Sequence, residues 1–342
     1  MIDNEISVII IGNGFDLHHE IPSRYSDFMQ SEYFDEEKNI FCKYFSGLEE
    51  NSIITWLDFE SELSTFLICY NKFKKLIKYD ESRNVYVVRV VDYCNSPIEQ
   101  YFYSFLGKLK LDFFIKGGYS GSLAIIKKYE YNWTNLIEGI FISAYREFVN
   151  RFYLYIKDIN THYAINLDSK KLNKTLYNEI IYADEIISFN YTKTITNYPF
   201  NPSKTKYVHN NIDGDIILGV QSIEELFDSF NSVFYKTTQM LKYNPDKPTS
   251  FSLNLKGNNT IKYTIIGHSL GIPDHYVLGD IKDVFSNEHR YTNTKLIIYI
   301  YDTKEIEKYA SNLRSFLGED KLVKLFRNNN IIFMNYQGDV IK

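Results

Sequence analysis

Ser7-Val8-Ile9-Ile10-Ile11-Gly12-Asn13-Gly14-Phe15-Asp16 is the stretch on which the fold turns. Val8 to Ile11 are apolar without polar alternation, which describes a strand buried on both faces. Such strands belong to parallel sheets covered by helices. Glycines at 12 and 14 follow at once. A glycine turn between strand and helix lets a dinucleotide's pyrophosphate approach the backbone, with a helix N-terminus favouring the anion. Leu17 stands where the usual fingerprint has its third glycine, so a tight turn needing positive φ explains the pair equally well.

Working outward, further apolar runs read as strands at Glu185–Phe189, Lys206–Val208, Asp215–Val220, Lys262–Ile266, Lys295–Tyr301 and Asn330–Met334. Helical patterns lie between them at Ser222–Lys242, Pro273–Phe285 and Thr303–Phe316. This alternation predicts an open, Rossmann-like α/β sheet. The stretch from about Tyr25 to Asp184 is different in kind. Trp56, Phe59, Leu63, Phe66, Leu67 and Tyr70 recur at helical spacing, with Glu60 inside the same apolar stripe. The expected layout is a discontinuous α/β domain, residues 1–24 plus 181–342, interrupted after its first strand by a mainly helical insertion, 25–180.

Composition narrows the function classes. Of 342 residues, 44 % are hydrophobic and 24 % charged, which excludes disorder as the main state. A formal net charge of −5 supplies no global cationic field, so nucleic acid and anionic membrane are disfavoured partners. The cysteines, Cys42, Cys69 and Cys94, are too far apart for a CxxC knuckle and odd in number, which suits a reducing cytoplasm. The first residues are acidic where a secretory leader is basic, and no apolar run is long enough for a bilayer, so a cytoplasmic protein is expected. No spacing of His, Cys or Asp implies a metal.

Three further constellations carry chemistry-bearing residues. Ser188-Phe189-Asn190-Tyr191-Thr192 ends a buried strand, where ligands collect in α/β sheets; Asn190 offers a donor and an acceptor to a ribose hydroxyl or a water. Turn formation is its plainer role. His209 closes the strand-like Lys206–Val208; histidine as a residue type titrates near neutrality and can serve as a general base on a sugar hydroxyl or water, although loop histidines are common. Gly267-His268-Ser269-Leu270-Gly271 matches the G-x-S-x-G nucleophile elbow. Only His275 and His289 follow Ser269, and no HGGG-type segment is present, so the hydrolase reading is poorly supported.

In order and spacing these motifs resemble two families. Gly12-Asn13-Gly14-Phe15-Asp16 with Ile21-Pro22 is similar to the sirtuin loop G-A-G-I-S-x-x-x-G-I-P. Phe189-Asn190-Tyr191 resembles the sirtuin T-Q-N-I-D segment, His209 its catalytic histidine, and Gly267–Leu270 its G-T-S-L strand end. The bacterial abortive-infection family AbiH is matched more closely. Its G-N-G-F-D-L, H-G-L-P-T-x-Y-S-D-F, W-x-D-x-E, F-N-Y-T, H-G and G-H-S-L-G-x-x-D patterns are met by Gly12–Leu17, His19, Pro22, Tyr25–Phe28, Trp56, Asp58, Glu60, Phe189–Thr192, His209, Gly267–Gly271 and Asp274. Glu20 and Asn210 stand where the patterns have glycine.

The AbiH resemblance implies defence against bacteriophage, the infected cell ceasing growth before phage matures. The sirtuin resemblance implies a sirtuin-like sheet and a small-molecule nucleotide, NAD, as substrate or ligand, with hydrolysis at the nicotinamide–ribose bond the leading expectation. Asn190, His209, Asp274 and Glu60 are then the candidate catalytic residues. Gly12, Asn13, Gly14, Phe15, Asp16, His19, Gly267, His268 and Ser269 are the candidate binding residues, and no metal is expected. Asp16 is equally explained as an acid favoured by a helix first turn, and Glu60 as half of an ion pair. The alternatives are a sensor that binds NAD or an ADP-ribose derivative without cleaving it, and a nuclease-type toxin. Lys72, Lys74, Lys75 and Lys78 beside Phe73 are the one feature favouring the last. A phage-derived trigger is implied but not identified, and the aromatic helices of the insertion allow a homo-oligomer.

Overall fold

A computed structural model describes residues 5–49, 56–82, 85–89, 96–109, 114–116, 122–126, 133–165, 167, 172–223, 226, 228–243, 260–271, 274–286 and 294–341. Pro273, Cys94 and His289, and the side chains of Trp56 and Asp58, lie outside the described residues. Strands are numbered β1 (Ile6–Ile11), β2 (Lys78–Asp80), β3 (Val85–Arg89), β4 (Phe114–Lys116), β5 (Ser122–Ile126), β6 (Glu185–Ser188), β7 (Thr205–Tyr207), β8 (Ile261–Ile266), β9 (Thr294–Ile300) and β10 (Ile331–Asn335). The chain divides into two units. One comprises residues 1–33, 152–218 and 239–342, the other 34–151 and 219–238. The second unit thus takes in a short late segment as well as most of the stretch read as one insertion.

The first unit holds a six-stranded sheet of order β10-β9-β8-β1-β6-β7, and its strand pairs are all parallel. Numbered within the sheet this is the Rossmann order, with the chain reversing direction between β1 and β8. Alternate residues of β1 explain why it is apolar throughout. Val8 and Ile10 join a cluster with Ile265, Ile298, Leu278, Phe285 and Leu313 on one face. Ile9 and Ile11 join Phe15, Leu176, Ile180 and Ile186 on the other. Fully burying each such side chain contributes roughly 1.5–3 kcal/mol.

The second unit has an aromatic core. Phe41 packs on Phe66 at 5.0 Å between ring centroids, Phe59 stacks on Phe148 at 5.5 Å, and Tyr145 meets Phe234 at 4.5 Å. These rings come from helices Ile40–Glu49, Trp56–Leu76 and Trp133–Ile159 and from Phe234. A four-stranded antiparallel sheet of order β2-β3-β5-β4 interrupts the helices. The region expected to be mainly helical thus carries a small antiparallel sheet among its helices.

Three expected elements differ, the first being the helix expected over Pro273–Phe285, which spans only Gly279–Ser286. Asp215–Val220 is not a strand, and at Leu218 the Gln239 amide takes the place of a neighbouring strand: its Oε1 accepts from Leu218 N at 3.1 Å and its Nε2 donates to Leu218 O at 2.8 Å. The helix expected over Ser222–Lys242 is two, Ser229–Ser232 and Lys236–Tyr243. They separate where Lys236 N turns to donate to Val220 O.

Candidate functional site

The strand order marks where a candidate site is expected. Ligands of open α/β sheets bind outside the carboxyl ends of the strands where chain direction reverses, here after β1 and β8. Ile11 and Ile266 are the last register partners of those strands, and Gly12 and Gly267 follow them. The two turns pack backbone on backbone. Gly12 N donates to Ile266 O (3.1 Å) and Gly14 N to Gly267 O (2.9 Å). A Cβ on Gly12 would lie 2.7 Å from His268 Cα, and one on Gly14 2.7 Å from Gly267 Cα. Gly267, at φ +65°, meets Phe15 N more closely still. The glycines are therefore required by this close approach.

One expectation needs correcting here. The amides of Gly12 and Gly14 are committed to the β8 turn, and Phe15 N donates to Gly12 O at 2.8 Å. Of the turn, only the Asn13 amide takes no part in these bonds, so Gly12–Phe15 do not form an open cradle of N–H groups.

Behind the turn lies a polar cluster. Asp16 is 1 % exposed, yet Thr192 Oγ1 donates to its Oδ2 at 2.7 Å, while its Oδ1 has no hydrogen-bond partner. Burial pushes its pKa from 3.8 up to about 6, with Thr192, Thr194, Asn190 and Ser23 pulling the other way. Asn190, 5 % exposed at the end of β6, stands close enough to Asp16 to favour its ionised form, but neither of its amide atoms reaches hydrogen-bonding geometry with any group. Its backbone is fixed by Ser188 Oγ, which accepts from Asn190 N at 3.2 Å. Ser23 Oγ donates to Asn13 Oδ1 at 2.5 Å.

A second cluster surrounds Asp274. His268 Nδ1 accepts from Leu270 N at 3.1 Å, so its proton is on Nε2, which donates to Asp274 Oδ2 at 3.2 Å. Leu270 takes φ +55° to aim that amide. Asp274 Oδ1 lies 3.5 Å from His209 Nε2, which also faces Tyr276 Oη at 3.4 Å. Phe189 touches both imidazoles, its ring centroid 4.1 Å from that of His268 and 5.6 Å from that of His209. Tyr191 stacks on His209 and is itself anchored by donating to Ile217 O at 2.9 Å. Through His268 and Asp274 the glycine turn and His209 share one continuous set of contacts.

Ser269 is half-buried, with its carbonyl accepting from Asn312 Nδ2 at 2.7 Å. His19 serves the interior: Nδ1 donates to Phe15 O at 2.7 Å, Nε2 accepts from Tyr198 Oη at 2.8 Å, and burial lowers its pKa to about 4. Its ring edges are both occupied by protein. Glu60 lies in the second unit, where its Oε1 is 2.6 Å from Nζ of Lys236, a lysine 1 % exposed.

The model of the family described as bacteriophage abortive infection AbiH matches residues 8–299. The chain belongs to the AbiH family. Its role accordingly lies in abortive-infection defence against bacteriophage. No curated protein and no solved structure matches the chain.

The places where the chain departs from the AbiH patterns as read in the sequence have a conformational explanation. Glu20 and Asn210 both have φ +60°, the left-handed region that glycine enters freely. Asparagine is among the side chains that tolerate it, and Asn210 Nδ2 donates to Asp215 O at 2.7 Å. Tyr25–Phe28 act structurally: Tyr25 and Phe28 are buried, and Asp27 Oδ2 accepts from Arg24 N to cap the helix Tyr25–Met29.

Two lysines of the basic face are engaged in ion pairs as well, while Lys75 and Lys78 are exposed. Lys72 pairs with Glu99 at 2.6 Å, Lys74 with Glu138 at 2.8 Å, and Phe73 is buried. Among the described residues no group of three or more His, Cys, Asp or Glu side chains is placed to hold a metal, and no helix is long and apolar enough to cross a membrane. Sequence reasoning gave no role to Thr192, Thr194 or Tyr276. Thr192 was visible as the last residue of the F-N-Y-T motif, whereas nothing in the sequence marks Tyr276.

Proposed function

We propose that this AbiH site hydrolyses NAD at the nicotinamide–ribose bond. One observation carries the reading: Asn190, 5 % exposed at the end of the strand next to the sheet's switch point, keeps both amide atoms unpartnered beside a buried carboxylate with one unpartnered oxygen. Leaving buried polar groups unmade costs about 1–3 kcal/mol each, a cost that functional sites retain because a ligand completes the bonds. A ribose offers the matching hydroxyls. Support also comes from the sirtuin-like order of the glycine turn, Asn190, His209 and Gly267–Leu270.

In the reaction a water oxygen bonds to ribose C1′ as the C1′–N bond breaks, its electron pair returning to the nicotinamide ring. The water proton passes to a base, and the products are ADP-ribose and nicotinamide. Nicotinamide leaves without protonation, so the protein's task is positioning and charge placement. Asn190 holds the ribose hydroxyl or the water. The Asp16 carboxylate faces the cationic sugar, and its low-dielectric surroundings strengthen that attraction. His209 accepts the proton, with Asp274 orienting it and His268 orienting Asp274. Ser269 and Gly267 meet the adenosine ribose. With the amides of Gly12, Gly14 and Phe15 committed, Asn13 is the phosphate contact of the turn. Loss of NAD would arrest an infected cell, as abortive infection requires.

The test is release of nicotinamide from NAD by the purified protein, together with NAD content of phage-infected cells expressing it. Asn190→Ala and His209→Ala should each lower release by roughly 100-fold or more. Tight NAD binding without release, in the tube and in infected cells, would replace hydrolysis by sensing. Cleavage of an RNA or DNA substrate with NAD untouched would remove both readings.

A further inference from the structure

The direction of two hydroxyl hydrogen bonds behind the site is determined by elementary valence. An ionised Asp16 can only accept, so Thr192 Oγ1, at 2.7 Å from Oδ2, must spend its single proton on the carboxylate. Thr194 Oγ1 lies 3.0 Å from Thr192 Oγ1, and with that proton spent Thr194 must be the donor. The relay therefore runs Thr194 to Thr192 to Asp16. All three residues are 1 % exposed, so water does not stand in for either hydroxyl. The relay ties off Oδ2 alone and leaves Oδ1 unpartnered.

We propose that Thr192, supported by Thr194, is a positioning residue that fixes the Asp16 carboxylate with Oδ1 presented to the substrate. The claim rests on the reading of Asp16 as part of the working site, and adds how the chain keeps it there. The short helix Asn13–His18 gives Asp16 its backbone position, but its carboxylate plane is free to rotate until a partner fixes it. Thr192 is that partner, delivered by the turn after β6, so the same segment supplies both Asn190 and the clamp on its neighbour. The groups facing Asp16 from the surrounding elements are Thr192, Thr194, Asn190 and Ser23, with the Tyr207 phenol of β7 the titratable one; burial and the nearby Asp16 charge keep that phenol protonated.

Thr192→Val removes the hydroxyl at nearly constant shape, and Thr192→Ser restores it. The first readout needs no activity: unfolding free energy against pH, each variant compared with the same variant carrying Asp16→Asn, isolates the titration of Asp16. In Thr192→Val its midpoint should rise by about one to two pH units, because a hydrogen bond to the charged form is lost. Thr192→Ser should return it to the wild-type value, and Thr194→Val should shift it in the same direction by less. The second readout is nicotinamide release, whose acid limb should move with the first. An unshifted Asp16 midpoint in Thr192→Val overturns the proposal. Absence of nicotinamide release from the wild type defeats the hydrolase reading alone, since the stability measurement still decides whether Thr192 governs Asp16. If Thr192→Val fails to fold, Thr194→Val decides: a midpoint equal to wild type overturns the relay.

Discussion

A buried carboxylate whose pKa has risen makes the folded state bind protons more readily than the unfolded state, so its contribution falls as pH rises. Asp16 moves from 3.8 to about 6, and at about 1.4 kcal/mol per pH unit its ionisation costs roughly 3 kcal/mol of stability once pH exceeds the folded value. The cost is absent below 3.8 and complete above about 6. Asp16→Asn removes the charge and keeps an oxygen to accept from Thr192. It carries its own fixed penalty, the unpartnered amide nitrogen where Oδ1 stood, of about 1–3 kcal/mol. Absolute stability is therefore a poor readout, because gain and penalty are of similar size.

The pH dependence is the informative quantity, since the fixed penalty cancels. Between pH 4.5 and 7.5 the stability of Asp16→Asn relative to wild type should increase by about 2 kcal/mol, most of it gained by pH 6.5. His19 has a folded pKa lowered to about 4, and it contributes stability that is lost as pH falls from 6.5 through 4; this occurs in both proteins and drops out of the difference. Urea unfolding at several pH values measures it, and at roughly 2–4 °C per kcal/mol so does thermal melting of a unit this size. A difference that stays flat from pH 4.5 to 7.5 would refute the reasoning, showing that Asp16 ionises in the fold as easily as in water. The same variant should abolish nicotinamide release.

Other outcomes follow from the same geometry. Gly267→Ala meets both a positive φ and the Phe15 backbone, and should cost at least about 2–4 kcal/mol, seen as loss of soluble protein or a collapsed melting temperature. Glu60→Gln keeps an acceptor but removes the negative charge 2.6 Å from the buried Lys236 ammonium, and should destabilise by about 3–5 kcal/mol; Glu60→Leu with Lys236→Met should recover both stability and nicotinamide release, whereas a catalytic Glu60 would leave the double variant stable and inactive. Asn210→Gly should retain nicotinamide release within about twofold, its gain in backbone freedom offset by the lost bond to Asp215 O, and a loss of ten times or more would show the side chain to be chemical. His268→Ala removes the donor to Asp274, and should lower release by roughly tenfold or more while leaving the wild-type NAD dissociation constant within twofold, as measured calorimetrically.

What could be read from the sequence, and what could not, divides along the range of the forces involved. The sheet was legible because its strands carry their own evidence: Val8–Ile11 are apolar at every position only because both faces of β1 are covered, and the Rossmann order follows from that burial with the glycine turn attached. Asp215–Val220 carries the same apolar pattern without forming a strand, because its backbone pairs with scattered groups instead, Leu218 with the Gln239 amide, Ile217 with His209 O and the Tyr191 hydroxyl, and no local pattern announces such a substitution. The site shows the same division. Motif spacing singles out Asn190, His209 and Asp274 as candidates, whereas nothing local marks the commitment of the Gly12, Gly14 and Phe15 amides, which depends on how closely β8 returns to β1. Glycines that bring two turns into van der Waals contact look in sequence like glycines that admit a phosphate. Only the partner of each N–H tells them apart, and here the partner is Gly267 O for one and Ile266 O for another. On the proposed reading of an NAD site, recognition in this turn therefore falls to side chains, above all to an amide and a carboxylate that the fold buries without completing their bonds.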